Sequence, residues 1–304
     1  MASFSNTLNW SISRDDTFSY CKRKYYLSYY ESWGGWNSWA APRKQLAYFL
    51  KNRQFVVTWV GDVVHKAIKY AIQNCEQNNQ EYVIESLKKR LQKDFDNSKL
   101  FTRETAKPKD LWLFEHYKST DPDVEFNVEK AELCLRNFFG SDAFQEIKIA
   151  KESNSILYLD EGDIKKMLFQ MDGLPIYAIP DLCYKKQDGS YTIIDWKTGK
   201  SKEEELTMQL KLYALRLQYV DKIDLAKNEV NAYVFYLPEN EMKGRNVLQE
   251  DIESIGEYAR SSFSRMREML TDIENNVPME ESCFPKTEHV NKCTSCVFHE
   301  MCYG

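Results

Sequence analysis

No apolar run in these 304 residues approaches the roughly 18 needed to cross a bilayer, so no membrane partner is expected. The opening residues, Met1-Ala2-Ser3-Phe4-Ser5-Asn6, lack the basic and then apolar regions of a secretory signal. A cytoplasmic location is the expectation, and there cysteines more often mean metal or redox chemistry than disulfides. Internal repeats and low-complexity tracts are also missing. So is an excess of positive charge: the net charge is −5, whereas nucleic-acid binders usually carry a basic footprint. The deficit is uneven, because residues 1–60 hold eight Lys or Arg against three Asp or Glu, and the rest is acidic. A phosphate-cradling loop is absent too. Thr198-Gly199-Lys200-Ser201 looks like its tail, but Ile194 stands where the first glycine is required, which excludes an ATPase of that type. No helicase motor is visible, so any motor would have to be a separate protein.

What remains is an ordinary soluble composition, 43% hydrophobic and 29% charged, long enough to bury a sizeable core. Ser11 to Tyr30 reads as a short helical stretch mixing aromatic and basic residues, and Trp33-Gly34-Gly35-Trp36-Asn37-Ser38-Trp39 as a loop. Val60, Val64, Ile68, Ala71 and Ile72 recur at helical spacing, and helical patterning continues to about Phe139. After Ile147 the pattern turns to strands: Ile156–Leu159, Met167–Met171, Ile176–Tyr184 and Tyr191–Trp196, the last two joined through Gln187-Asp188-Gly189-Ser190 as a hairpin. A helix from Glu203 to Tyr219, a strand at Val230–Tyr236 and a long helix from Glu250 to Ile273 complete the expectation. The fold class is α/β, an antiparallel hairpin feeding a mixed central sheet flanked by helices. Four segments are expected to fold together: 1–60, a helical region 61–150 with an insertion, a core 151–280, and a cysteine-bearing tail 281–304.

Two constellations carry chemistry. Asp195 and Lys197, two apart on a strand, share a face, and pairing with the preceding strand can bring Asp181 beside Asp195. Paired carboxylates are the hard oxygen ligands that Mg²⁺ or Mn²⁺ prefers, and a lysine beside them can stabilise charge developing on a phosphodiester. The plainer alternative is a set of exposed charges at strand ends, against which the apolar pair Ile193-Ile194 argues. His65 sits at the edge of an apolar helical stripe, the usual place for a polar rim residue, and Gln209 and Tyr213 share a helix face at i, i+4. The second constellation is Cys21 near the start and C-x2-C-x5-C at the end, Cys293, Cys296 and Cys302. Iron–sulfur ligation by all four and a local Cys3His zinc site of Cys293, Cys296, His299 and Cys302 both fit that spacing. Cys75, Cys134, Cys183 and Cys283 read as packing residues.

In order, Ser11-Ile12-Ser13 leading to Tyr20-Cys21, Gly61-x3-His65, Pro180-Asp181, Asp195-Trp196-Lys197, Gln209-x3-Tyr213 and C-x2-C-x5-C resemble the PD-(D/E)XK nuclease superfamily. The likeness is to its RecB/AddB-like branch with an iron–sulfur cluster, which includes CRISPR-adaptation nucleases. It covers about residues 1–75 and 150–304. The resemblance implies a restriction-endonuclease-like core with His65, Asp181 and Asp195 as metal ligands and Lys197 as catalytic. It also implies Gln209 and Tyr213 as positioning residues, Glu152 as a further acidic candidate, and Cys21, Cys293, Cys296 and Cys302 on a [4Fe–4S] centre. Asp195 stands where many members have Glu. The implied activity is metal-dependent DNA hydrolysis, exonucleolytic on single strands or ends. The alternative is a non-catalytic DNA-binding or scaffold subunit of a larger complex. Arg14, Lys22, Arg23, Lys24, Arg43 and Lys44 are candidates to meet phosphates, and Trp33, Trp36 and Trp39 either stack on bases or pack on the protein or a partner.

Overall fold

The computed structural model describes residues 6–75, 79–160 and 167–304. In chain order the helices and strands begin with α1 (Ile12–Tyr20), α2 (Lys22–Tyr26), a π-helical turn Leu27–Glu31, α3 (Pro42–Lys51), α4 (Val56–Gln73) and α5 (Gln80–Lys99). Then come α6 (Phe114–Tyr117), α7 (Val124–Gly140), α8 (Asp142–Glu152), β1 (Ile156–Leu159), β2 (Leu168–Met171), β3 (Leu174–Tyr177), β4 (Leu182–Lys185) and β5 (Tyr191–Lys197). The chain continues through α9 (Met208–Val220), β6 (Val230–Tyr236), β7 (Glu241–Asn246), α10 (Gln249–Arg267), β8 (Leu270–Asp272), β9 (Val277–Pro278) and α11 (His299–Tyr303). None of the helices among the described residues is long and apolar enough to cross a membrane. Two compact units result: Val56–Asn97 with Asp121–Tyr258, and Met1–Phe55 with Ser98–Thr120 and Ala259–Gly304.

The first of these units carries the central mixed sheet, ordered β1-β4-β5-β6-β7, in which only β5 and β6 run parallel. β5 is its central strand, buried from Thr192 to Trp196. Side-chain alternation sends Trp196 to one face, where it meets Phe138 of α7 edge-on at 5.5 Å and Phe235 of β6 at 6.0 Å. Asp195 faces the opposite way, toward Tyr213 of α9. The β4–β5 turn forms as its residues dictate: Gly189 takes φ +92°, and Asp188 Oδ1 accepts from Ser190 N at 2.9 Å and Ser190 Oγ at 2.6 Å. The apolar stripe of α4 is buried from Val60 through Ile72 and packs against α7 and α8.

Some elements differ from the sequence expectation. The strand expected over Ile176–Tyr184 is two strands, since β3 pairs with β2 in a separate hairpin and β4 begins only after Pro180. Proline has no N–H to give a ladder, so the chain leaves one sheet and joins another there. The helix expected from Glu203 begins at Met208, where Thr207 caps it by accepting from Leu210 N. The last long helix stops at Arg267, and β8 and β9 follow. β7 was not anticipated because Glu241-Met242-Lys243-Gly244-Arg245-Asn246 reads as a charged loop; such charge is how an edge strand discourages further pairing.

In the other unit, α1 is capped by Ser11, whose Oγ accepts from Arg14 N at 3.1 Å. Its core gathers Leu27, Leu50, Trp112, Phe114, Tyr117 and Phe298. The N-terminal and C-terminal stretches are tied by Arg23. Its Nε donates to Phe284 O at 2.9 Å, its backbone N to Pro285 O at 3.0 Å, and its Nη1 pairs with Glu281 at 2.8 Å.

Candidate active site

The register that sets Leu182 against Ile194 carries Asp181, one residue earlier, opposite Asp195. The two carboxylates are placed by backbone. Asp181 O accepts from Asp160 N at 2.8 Å, and Asp181 Oδ2 accepts the N–H of Trp196 at 2.9 Å. His65 comes from α4, its Nδ1 3.4 Å from Asp181 Oδ1. Gly61, one turn earlier, has space for a Cβ 3.4 Å from Thr198 Oγ1, so this end of α4 lies against the chain just past β5.

A closed polar ring surrounds Asp195. Lys197 Nζ is 2.6 Å from Asp195 Oδ2 and donates to Gln209 Oε1 at 3.2 Å. Gln209 Nε2 donates to the Tyr213 hydroxyl, which in turn donates to Asp195 Oδ1 at 3.5 Å. The i, i+4 spacing on α9 is what lets Gln209 and Tyr213 join this ring.

Asp195 is 2% exposed, whereas the Lys197 side chain is 41% exposed, so the carboxylate is buried and the ammonium reaches solvent. Burial, then the neighbouring Asp181 charge, pushes the Asp195 carboxyl up to about 6 against the pull of Lys197 and His65. Burial opposes charging of His65, but the hydrogen bond and charge of Asp181 outweigh it and raise its pKa. Tyr213 is raised by burial and then by both carboxylates, which keeps it a hydrogen-bond donor.

These are the donors a divalent cation takes. Asp195 Oδ2 is buried with the ion contact of Lys197 and no well-formed hydrogen bond, an under-satisfied carboxylate that a cation between it and Asp181 would relieve. Among the described residues no three His, Cys, Asp or Glu side chains are already drawn together as a ligating group. The oxygens of both Asp side chains face protein groups instead: Trp196 N and His65 for Asp181, Lys197 and Tyr213 for Asp195. Glu152 is exposed at the C-terminal end of α8, with no hydrogen bond or ion pair to Asp181, Asp195 or His65 among the described residues.

The four cysteines Cys21, Cys293, Cys296 and Cys302 fall in the second unit. Cys21 ends α1 and caps α2, its Sγ accepting from Lys24 N at 3.4 Å. Successive turns, Cys293 N to Val290 O, Cys296 N to Cys293 O and His299 N to Cys296 O, wind the tail around the other three. Burial and then neighbouring charge raise two of the thiols: Cys296 feels Cys21 and Cys293, and Cys302 feels Cys296 and Cys21. The Tyr303 hydroxyl donates to Cys293 Sγ at 3.7 Å, a partner with no signal in the sequence. The His299 ring stacks on Tyr303, centroids 5.3 Å apart. Cys134 and Cys183 are buried as packing residues, whereas Cys283 is exposed.

Of the cations expected to meet phosphates, Arg14 is buried, with its guanidinium over the Tyr29 ring at 4.3 Å, and Arg23 and Arg43 both pair with Glu281. Trp33 and Trp36 pack edge-on at 5.1 Å, while Trp39 is 82% exposed. No curated protein matches the chain. The PD-(D/E)XK nuclease superfamily matches residues 9–303, nearly the whole length and including the helices between α4 and β1; the chain therefore belongs to that superfamily.

Proposed function

We propose that this nuclease-superfamily protein hydrolyses phosphodiester bonds in DNA with Mg²⁺ or Mn²⁺, as an exonuclease acting on single strands or DNA ends. The observation that carries the reading is the convergence of Asp181, Asp195 and His65 with Lys197 on one face of β5. His65, Asp181 and Asp195 are the ligands proposed for the ion. Glu152 is left out because nothing ties it to them. When bound, such an ion supplies a more acidic water and neutralises phosphate charge. Lys197, anchored by Asp195 and Gln209 yet open to solvent, meets a phosphate oxygen as charge builds there. Gln209 and Tyr213 hold that ammonium and the carboxylate in place. The buried, under-satisfied Asp195 carboxylate argues against the alternative of a non-catalytic scaffold, since it is costly to the fold and brings no structural gain.

Cys21, Cys293, Cys296 and Cys302 are the proposed ligands of a [4Fe–4S] centre of the RecB/AddB-like type. The electrostatic reach of Cys21 to Cys296 and Cys302 supports this set over a zinc site using His299, whose ring is engaged with Tyr303.

The test is degradation of end-labelled single- and double-stranded DNA, linear and circular, with each metal. Asp195→Ala and Lys197→Ala are expected to lower the rate by about 10²-fold or more. Undiminished degradation by either pure variant rejects the site. DNA binding without metal-dependent cleavage by the parent chain would establish the scaffold role instead.

A further inference from the structure

α4 carries a second feature besides His65. A cavity of about 380 Å³ lies between α4 and α5, lined by Lys66 and Tyr70 on one side and Tyr82 and Arg90 on the other, over an apolar floor. Tyr70 is 44% and Tyr82 60% exposed, so both rings lining the groove are accessible from solvent. The lining contains two cations and no acid, in a chain of net charge −5. Lys89 and Lys93 extend the exposed side of α5 in line with Tyr82, at i+7 and i+11. Among the described residues Lys66, Lys89 and Lys93 have no ion-pair partner, and Arg90 has only Asp94, at 3.4 Å on its own helix. Lys88, elsewhere on α5, is by contrast neutralised by Glu132 at 2.8 Å. The groove thus sets Lys66, and Arg90 paired only within its own helix, beside two solvent-accessible rings.

We propose that this groove binds single-stranded nucleic acid, with bases on Tyr70 and Tyr82 and phosphates on Lys66, Arg90 and Lys93. The inference rests on the nuclease reading and names where its substrate strand lies. Charge complementarity to a polyanion selects the ligand, and the exposed rings select unpaired bases, because a duplex keeps its base faces stacked internally. The α4 positions that line the groove, Val63, Lys66, Ala67 and Tyr70, form a helix face about 150° round from His65, so the groove is a binding surface separate from the proposed metal site.

Fluorescence anisotropy of a labelled oligo-dT, in EDTA so that no cleavage occurs, tests this apart from catalysis. Lys66→Glu/Arg90→Glu/Lys93→Glu is expected to weaken binding about 10-fold or more and to flatten the log K against log[salt] slope by about 2. Tyr70→Ala/Tyr82→Ala should weaken binding about 5-fold or more with the slope unchanged, while the Tyr→Phe pair binds as the parent does. In the unmodified chain, an iodouracil-substituted oligonucleotide is expected to photocrosslink to Tyr70 or Tyr82. Crosslinks confined to other segments, or parent-like affinity and slope in both folded variants, overturn the proposal. So does displacement of the oligonucleotide by an acidic peptide at equal charge and equal potency. Hydrolysis of bis(p-nitrophenyl) phosphate, too small to reach the groove, should be unchanged in these variants. Its absence in the parent would count against the nuclease reading and leave the binding result standing.

Discussion

Asp195 is held at a cost to the fold. Its carboxyl is raised to about 6 by burial and by Asp181, above the ordinary 3.8, so between those values the folded chain binds a proton that the unfolded chain has lost. Stability therefore falls as pH rises through that window and stays lowered above it. Asp195→Asn is expected to melt higher than the parent at pH 7.5, by on the order of 1–3 kcal/mol, with the gain fading as pH falls from 6 to 4. Thermal melts across that range check this, and a variant that is less stable at pH 7.5 refutes it. Adding Mg²⁺ should raise the parent's melting temperature and leave that of Asp195→Asn almost unmoved, because binding to the folded state stabilises by mass action. At this scale the geometry of the candidate site was partly legible: strand alternation puts Asp195 and Lys197 on one face, strand pairing brings Asp181 opposite Asp195, and helical spacing aligns Gln209 with Tyr213. The Trp196 N–H on Asp181 and the Tyr303 hydroxyl on Cys293 were not, since a backbone donor has no sequence signature and tyrosines are common.

Among the elements, β5 matters most. It sets Asp195 and Lys197 on one face by anchoring Trp196 on the other, against Phe138 and Phe235. Trp196→Ala should cost about 3–5 kcal/mol in urea unfolding, and nuclease activity should fall in the fraction that remains folded. A stability loss with unaltered specific activity would show that the site does not depend on this anchor. α4 was readable because its buried residues recur at helical spacing, and β5 and β6 because each is a largely apolar run of strand length. β7 was hidden by its charged edge, and the break at Pro180 by an apolar run that continues through it although the hydrogen-bond partners change. α9 started late because five polar residues from Lys202 to Glu205 and Ser201 also suit a helix surface, and only the Thr207 cap marks the true start.

For the molecule as a whole, the order of motifs along the chain announced the superfamily, and the match over residues 9–303 agrees. The division into two units was not legible, because each is assembled from separated stretches and composition does not record which stretches meet. If the four cysteines hold iron, Cys21→Ser purified without oxygen should lose most of its iron and sulfide and its brown colour, measured by metal analysis and absorbance. Retained zinc in a colourless variant would decide for the alternative metal. The grip of Arg23 on Glu281, Phe284 and Pro285 needs no cofactor. If the cysteines do hold iron, a specimen that has lost it keeps this clasp, so pigment, and not elution volume, reports the loss.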